Sequence, residues 1–201
     1  MARFQATPKE SHVLVVKRIF RYLKGTKEFE LWHTKGKYLS LIAYIDADWA
    51  GCIDDRQSTS GVAFYLGECL VSWISKKQSS ISLSTAEAEY IAATTCCTQV
   101  LWMKQTLTDI QVEYDEPIPI YCDNTSAISI SKNPVMHSKT KHIPIKYHFL
   151  REQVAEKNIR VEYVGTKEQV ADIFTKPLPR EAFEYLRQRL RVISTPKMNA
   201  F

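Results

Sequence analysis

Residues 39–77 read LSLIAYIDADWAGCIDDRQSTSGVAFYLGECLVSWISKK, three strand-like runs parted by turn chemistry. The runs LSLIAYIDAD, STSGVAFYLG and CLVSWISKK are separated by Cys52-Ile53-Asp54-Asp55 and Leu66-Gly67-Glu68. Connections this short predict an antiparallel meander. Alternation along the first run puts Ile42, Tyr44, Asp46 and Asp48 on one face, with Asp46 near the strand end and Asp48 just beyond it. Either carboxylate, Asp46 or Asp48, can reach a metal ion from there.

Downstream of the meander the pattern changes. A long helical run from about Thr85 to Thr108 precedes strand PIPIYCD, helix NTSAISISK, helix KYHFLREQVAEK, strand NIRVEYV and a closing helix. Strands alternating with helices imply parallel crossovers, so the fold class is α/β, a mixed sheet with helices packed on it. Upstream, Thr7-Pro8-Lys9-Glu10 combines an N-cap, a first-turn proline and a capping-box glutamate. The helix that follows carries Val13, Val16, Phe20 and Leu23 at helical spacing, with Lys17, Arg18, Arg21 and Lys24 between them and Gly25 as its stop. Its apolar face either packs on the domain with its basic residues in water, or those residues meet phosphates.

The chain has 201 residues and a formal net charge of +5, the size of one domain with a terminal extension and a mild bias towards polyanionic partners. Five cysteines, Cys96 and Cys97 adjacent among them, form neither CxxC spacing nor an even disulfide framework, which points to buried thiols in a reducing compartment. No apolar run approaches a membrane span and MARFQATPKE lacks a signal-peptide core, so a soluble, intracellular protein without a membrane partner is expected.

Four acids stand where strands end or helices begin: Asp46, Glu89, Asp123 and Asp172. Carboxylates dispersed along a chain but each tied to a buried element suit divalent cations. On the long helix, Ser84 and Glu87 form S-x-x-E, a capping box that gives Glu87 a structural task. Glu89 heads the stripe Ala92, Ala93, Cys96, Val100, Met103 and Leu107, the face to be buried, where a carboxylate needs a cation or a proton. Asp123 ends a strand, and Asn124 can supply the N-cap of the next helix. Thr166 and Gln169 read as a second capping box, placing Asp172 in the early turns of the last helix. His137, His142 and His148 gather with Lys139, Lys141 and Lys146 without cysteine partners, so zinc is not expected there. Trp49, Trp73 and Trp102 read as core anchors rather than base-stacking platforms.

The stretches AYIDADWAG, DRQSTSGVAFYLG, VSWISKKQSSISLSTAEAEYIAA, IYCDNTSAI, TKHIPIKYHFLREQV and VADIFTKPLP, in that order, resemble the RNase H region of copia-type plant retrotransposon polyproteins. The resemblance runs from about residue 41 to 190, and HVLVVKRIFRYLKGT resembles the tail of the polymerase portion that precedes that region. It implies an RNase H-like fold, a five-stranded mixed sheet with three antiparallel strands followed by parallel ones and helices on both faces. Residues 1–36 are then a reverse-transcriptase tail or connection, 37–192 the RNase H-like domain and 193–201 a C-terminal tail. It also implies hydrolysis of the RNA strand of RNA/DNA hybrids, with Asp46, Glu89, Asp123 and Asp172 as the metal-binding acids and two Mg2+ ions, replaceable by Mn2+, as cofactors. Glu89-Tyr90-Ile91-Ala92-Ala93 matches the family's helix better than Glu87 does. Gly165-Thr166-Lys167 departs from cellular RNases H, which carry a histidine there, a difference that bears on product release.

Selectivity for the RNA strand would come from 2'-hydroxyls and hybrid shape, with Ser58, Thr59, Ser82, Asn124 and Thr125 as the polar residues nearest the acids in sequence. The reverse transcriptase of the same polyprotein is the expected protein partner, and a cytoplasmic virus-like particle, or the nucleus, the expected location. The competing classes are an inactive or domesticated nucleic-acid-binding remnant and an integrase-like strand transferase of the same superfold.

Overall fold

In the computed structural model, which describes residues 5–36, 38–133 and 148–194, the chain starts with helix α1 (Glu10–Gly25) and a short strand β1 (Phe29–Leu31). The meander follows as β2 (Leu41–Asp48), β3 (Thr59–Leu66) and β4 (Cys69–Lys77). Then come α2 (Thr85–Asp109), β5 (Ile118–Cys122), α3 (Thr125–Lys132), α4 (Phe149–Ala155) and β6 (Ile159–Tyr163). Two 3-10 turns, Thr166–Glu168 and Val170–Phe174, lead into α5 (Arg180–Arg189) and β7 (Val192–Ser194).

The main sheet has five strands in the order β4-β3-β2-β5-β6. β2, β3 and β4 pair antiparallel, whereas β5 joins β2 and β6 joins β5 in parallel. This is the expected five-stranded mixed sheet, three antiparallel strands followed by parallel ones. The tight β3–β4 turn uses Gly67 at φ 61°, where an added Cβ would sit 2.7 Å from the Tyr38 carbonyl oxygen. α2, α3 and α4 cover one face over Ile45, Val62, Phe64, Tyr90, Val100, Ile120 and Leu150. The second 3-10 turn and α5 cover the other, where Tyr65, Leu70, Val170, Leu186 and Leu190 pack. Cover on both faces of β3 explains why its residues are buried almost throughout rather than alternately.

Several expectations are corrected. α1 is capped at Lys9, not Thr7, and no residue of it is buried, so its apolar face does not pack on the domain. Phe20, in the middle of that face, is 67% exposed. The last α-helix begins at Arg180, because Pro177 and Pro179 halt the preceding 3-10 turn. Asp172 therefore belongs to a turn, not to a helix. β1 and β7 form a separate antiparallel ribbon, with Phe29 opposite Ser194. Two strands of three residues give too little periodicity to be read from sequence. Trp49, Trp73 and Trp102 are surface residues rather than core anchors, with Trp102 63% exposed.

Candidate metal centre

The centre lies where the sheet order turns from antiparallel to parallel. β2 has β3 on one side and β5 on the other, and Tyr44 pairs with Tyr121, so Asp46 and Asp123 emerge at neighbouring strand ends. That is the crevice in which open α/β sheets place ligands. α2 crosses beneath it and contributes Glu89, which is 4% exposed. Glu89 Oε1 accepts the Ala47 N–H at 3.0 Å, fixing the helix to the strand one residue past Asp46. One carboxylate oxygen from each of Asp46, Glu89 and Asp123 lies within 4.8 Å of the others. Among the described residues, this trio is the group of acids that can share one cation.

Electrostatics describe a site short of positive charge. Burial, then the Asp46 carboxylate, pushes Glu89 up to about 9. Asp123 is also raised, by burial first, although Thr166 Oγ1 donates to its Oδ2 at 3.0 Å and opposes the shift. Burial and Asp46 raise Asp172 to about 7. Oxygen-only donors that repel one another at short range fit a hard divalent cation, which removes both the repulsion and the proton.

Asp172 stands apart from the trio. Its Oδ1 lies 3.1 Å from Lys176 Nζ, and the same ammonium is 3.5 Å from Asp46 Oδ2. Thr175 Oγ1 donates to that Asp46 oxygen as well. Gly61 makes this approach possible. It sits opposite Asp46 in the β2–β3 register, and a Cβ there would come within 2.6 Å of Thr175 Cγ2 and 2.7 Å of the Ala171 carbonyl oxygen. The absent side chain lets the turn carrying Asp172, Thr175 and Lys176 close over the strand.

Thr175, Lys176 and Gly61 were not singled out from sequence, and Thr166 only as a cap. A glycine inside a strand and a lysine four residues after an acid were the available signals. Thr166 serves Asp123 rather than a capping box, and Gln169 accepts instead from Ala171 N–H at 3.3 Å. Ser84 caps α2 as expected, accepting from Glu87 N–H at 3.2 Å, but the Glu87 carboxylate takes the Leu83 N–H at 2.6 Å, one residue before the cap. Asn124 caps α3 by accepting from Ala127 N–H at 3.0 Å.

The expected substrate-facing polar residues divide. Ser58 is buried and accepts from Ala50 N–H, and Ser82 is buried and donates to Gln78 Oε1, so both hydroxyls serve the interior. Thr59 is half-buried on β3, Asn124 half-buried at its cap and Thr125 exposed. Lys17, Arg18, Arg21 and Lys24 are exposed on α1. His137 and His142, with Lys139, Lys141 and Lys146, lie outside the described residues.

Comparison with known proteins gives the lineage. Over 196 residues, 98% of the chain, it is 43% identical to the retrovirus-related Pol polyprotein from transposon RE1 of Arabidopsis thaliana. Over 188 residues, 94% of the chain, it is 41% identical to the Pol polyprotein from transposon TNT 1-94 of Nicotiana tabacum. The chain belongs to the copia-type Pol polyproteins. It spans 13% and 14% of the length of those two relatives. No protein-family model matches it. A similar solved structure is LC11-RNase H1, isolated from compost, 15% identical with a TM-score of 0.49, covering 73% of this chain and 97% of that one.

Proposed function

We propose that this Pol segment is a divalent-metal-dependent ribonuclease H that cuts the RNA strand of RNA/DNA hybrids during reverse transcription of its element. The convergence of Asp46, Glu89 and Asp123 within 4.8 Å at the sheet's switch point carries the reading. The shared ancestry with Pol polyproteins supports the substrate class. Mg2+, with Mn2+ as substitute, is the ion whose preference for oxygen ligands suits this donor set. Bound metal supplies a water of lowered pKa and a counter-charge for the leaving 3' oxygen.

The chain's own residues do the positioning. Asp46 is the shared ligand, held by Thr175 and by its place on a central strand. Ala47 N–H aims Glu89, and Thr166 aims Asp123. Thr125, exposed beside Asp123, and the Asn124 amide, whose oxygen caps α3, are the polar groups we assign to the substrate backbone. α1 presents Lys17, Arg18, Arg21 and Lys24 to a polyanion, and its bare stripe of Val13, Val16, Phe20 and Leu23 suits docking on the polymerase portion.

The test is cleavage of a 5'-labelled RNA strand in a hybrid with Mg2+, beside double-stranded DNA and double-stranded RNA. Hybrid-restricted cutting that stops with chelator, and in Asp46→Asn and Asp123→Asn, is expected. Hybrid binding without cleavage by the folded protein would instead identify a nucleic-acid-binding remnant.

A further inference from the structure

Asp46 faces two ways. Towards Glu89 and Asp123 it completes a group of three acids, and towards Asp172 its Oδ2 meets Lys176 Nζ at 3.5 Å. The same nitrogen is 3.1 Å from Asp172 Oδ1. Any second divalent ion held jointly by Asp46 and Asp172 would meet this ammonium.

We propose that Lys176 is a built-in counter-cation that closes the Asp46–Asp172 half of the centre, and that a second divalent ion enters only by displacing it. The inference rests on the metal-dependent reading above. Three features make the exchange feasible. Asp46 and Asp172 are 3% and 6% exposed, so leaving both without a cation is unfavourable and the ammonium has a reason to be there. Lys176 itself is more open, with 36% of its side chain exposed, and its four-carbon stem can carry the charge out into water. The turn bearing it is held by the Thr175 hydroxyl and by packing at Gly61, so displacement needs a rotamer change rather than a backbone movement. The two halves of the centre should then fill in order, the trio first and the lysine-blocked half second.

Counting bound Mn2+ by electron paramagnetic resonance tests this without catalysis, using the full chain as wild type, Lys176→Met and Lys176→Arg. The expected result is two binding steps in wild type, with the second tightened about tenfold in Lys176→Met and the first moved less than about twofold. Lys176→Arg, which keeps the charge, should hold the second step near its wild-type position. Metal-free Lys176→Met should also melt lower by about 3 °C or more, and Asp172→Asn in that background should restore the loss by removing the orphaned carboxylate. If Lys176→Met folds poorly, Lys176→Gln takes its place in the titration. An unmoved second step overturns the proposal while leaving the metal centre standing. Failure of wild type and variants alike to bind any Mn2+ overturns the metal-dependent reading and this one together.

Discussion

Glu89 and Glu87 sit two residues apart on α2, both buried, yet only Glu89 belongs to the acidic trio. Glu89→Gln should therefore lower hybrid cleavage by about a thousandfold or more while the protein stays folded. Glu87→Gln should stay within about tenfold, because an amide oxygen can still accept the Leu83 N–H. Rates beside circular dichroism melts check both, and the reverse pattern would move the metal-holding role to Glu87. Glu89 also sets a pH dependence. Its folded pKa is raised to about 9 by burial and by Asp46, so the folded state holds the proton more tightly than the unfolded chain does. That contribution to stability is complete below the unfolded carboxylate range and is lost as pH rises towards 9. Metal-free protein should lose melting temperature between pH 5 and pH 9, about the interval set by the two pKa values. Glu89→Gln should flatten that curve and be more stable at pH 9 by on the order of 2 kcal/mol.

Between residue and fold, the second 3-10 turn decides whether a fourth acid joins the site. Gly61→Ala should push that turn off β3, because the new methyl would meet the Ala171 carbonyl and the Thr175 methyl at under 3 Å. A loss of about 1–3 kcal/mol is expected, with cleavage falling about a hundredfold as Asp172 and Lys176 shift. Urea titration and single-turnover rates read the two effects. α1 should behave in the opposite way. Deleting residues 1–25 should change the stability of the remaining domain by less than about 0.5 kcal/mol, since the helix buries none of its side chains. Substituting Lys17, Arg18, Arg21 and Lys24 by glutamine should lower the slope of log K against log salt by about 0.9 for each duplex phosphate that is no longer neutralised. An unchanged slope would show that α1 faces away from nucleic acid. The sequence marked α1 as amphipathic correctly, but nothing in its spacing tells whether a partner surface for its apolar side lies in the same domain.

The protein as a unit carries its charge unevenly. Its formal net charge is +5, while four acids of the candidate centre gather at the ends of the central strands, and two of them, Asp46 and Asp172, share the Lys176 ammonium. Saturating Mg2+ should thus stabilise the fold as well as permit catalysis, by about 2.7 kcal/mol at a hundred times the dissociation constant. The gain should grow between pH 6 and pH 9, as the ion has fewer protons to displace into solvent from Asp172 and Glu89, raised to about 7 and about 9. Differential scanning calorimetry with and without chelator measures it. A melting temperature indifferent to Mg2+ at pH 8 would argue against a metal centre in the isolated chain.

Local elements and their order are written in short stretches of the chain. The meander over 39–77, the long α2 and the βα alternation after it all follow from short-range periodicity and capping. These were legible because residues a few positions apart dictate them. Which groups meet across long separations depends on how those elements are stacked. Thr175 reaches Asp46 over 129 positions and Thr166 reaches Asp123 over 43, by side-chain hydrogen bonds that no local pattern announces. The same holds for the β1–β7 ribbon and for Gly61, whose missing side chain matters only once another turn is brought against it. A strand's pattern records which face is buried but not what buries it. Three acids come within reach of one another only when the sheet order places β2 and β5 side by side above α2.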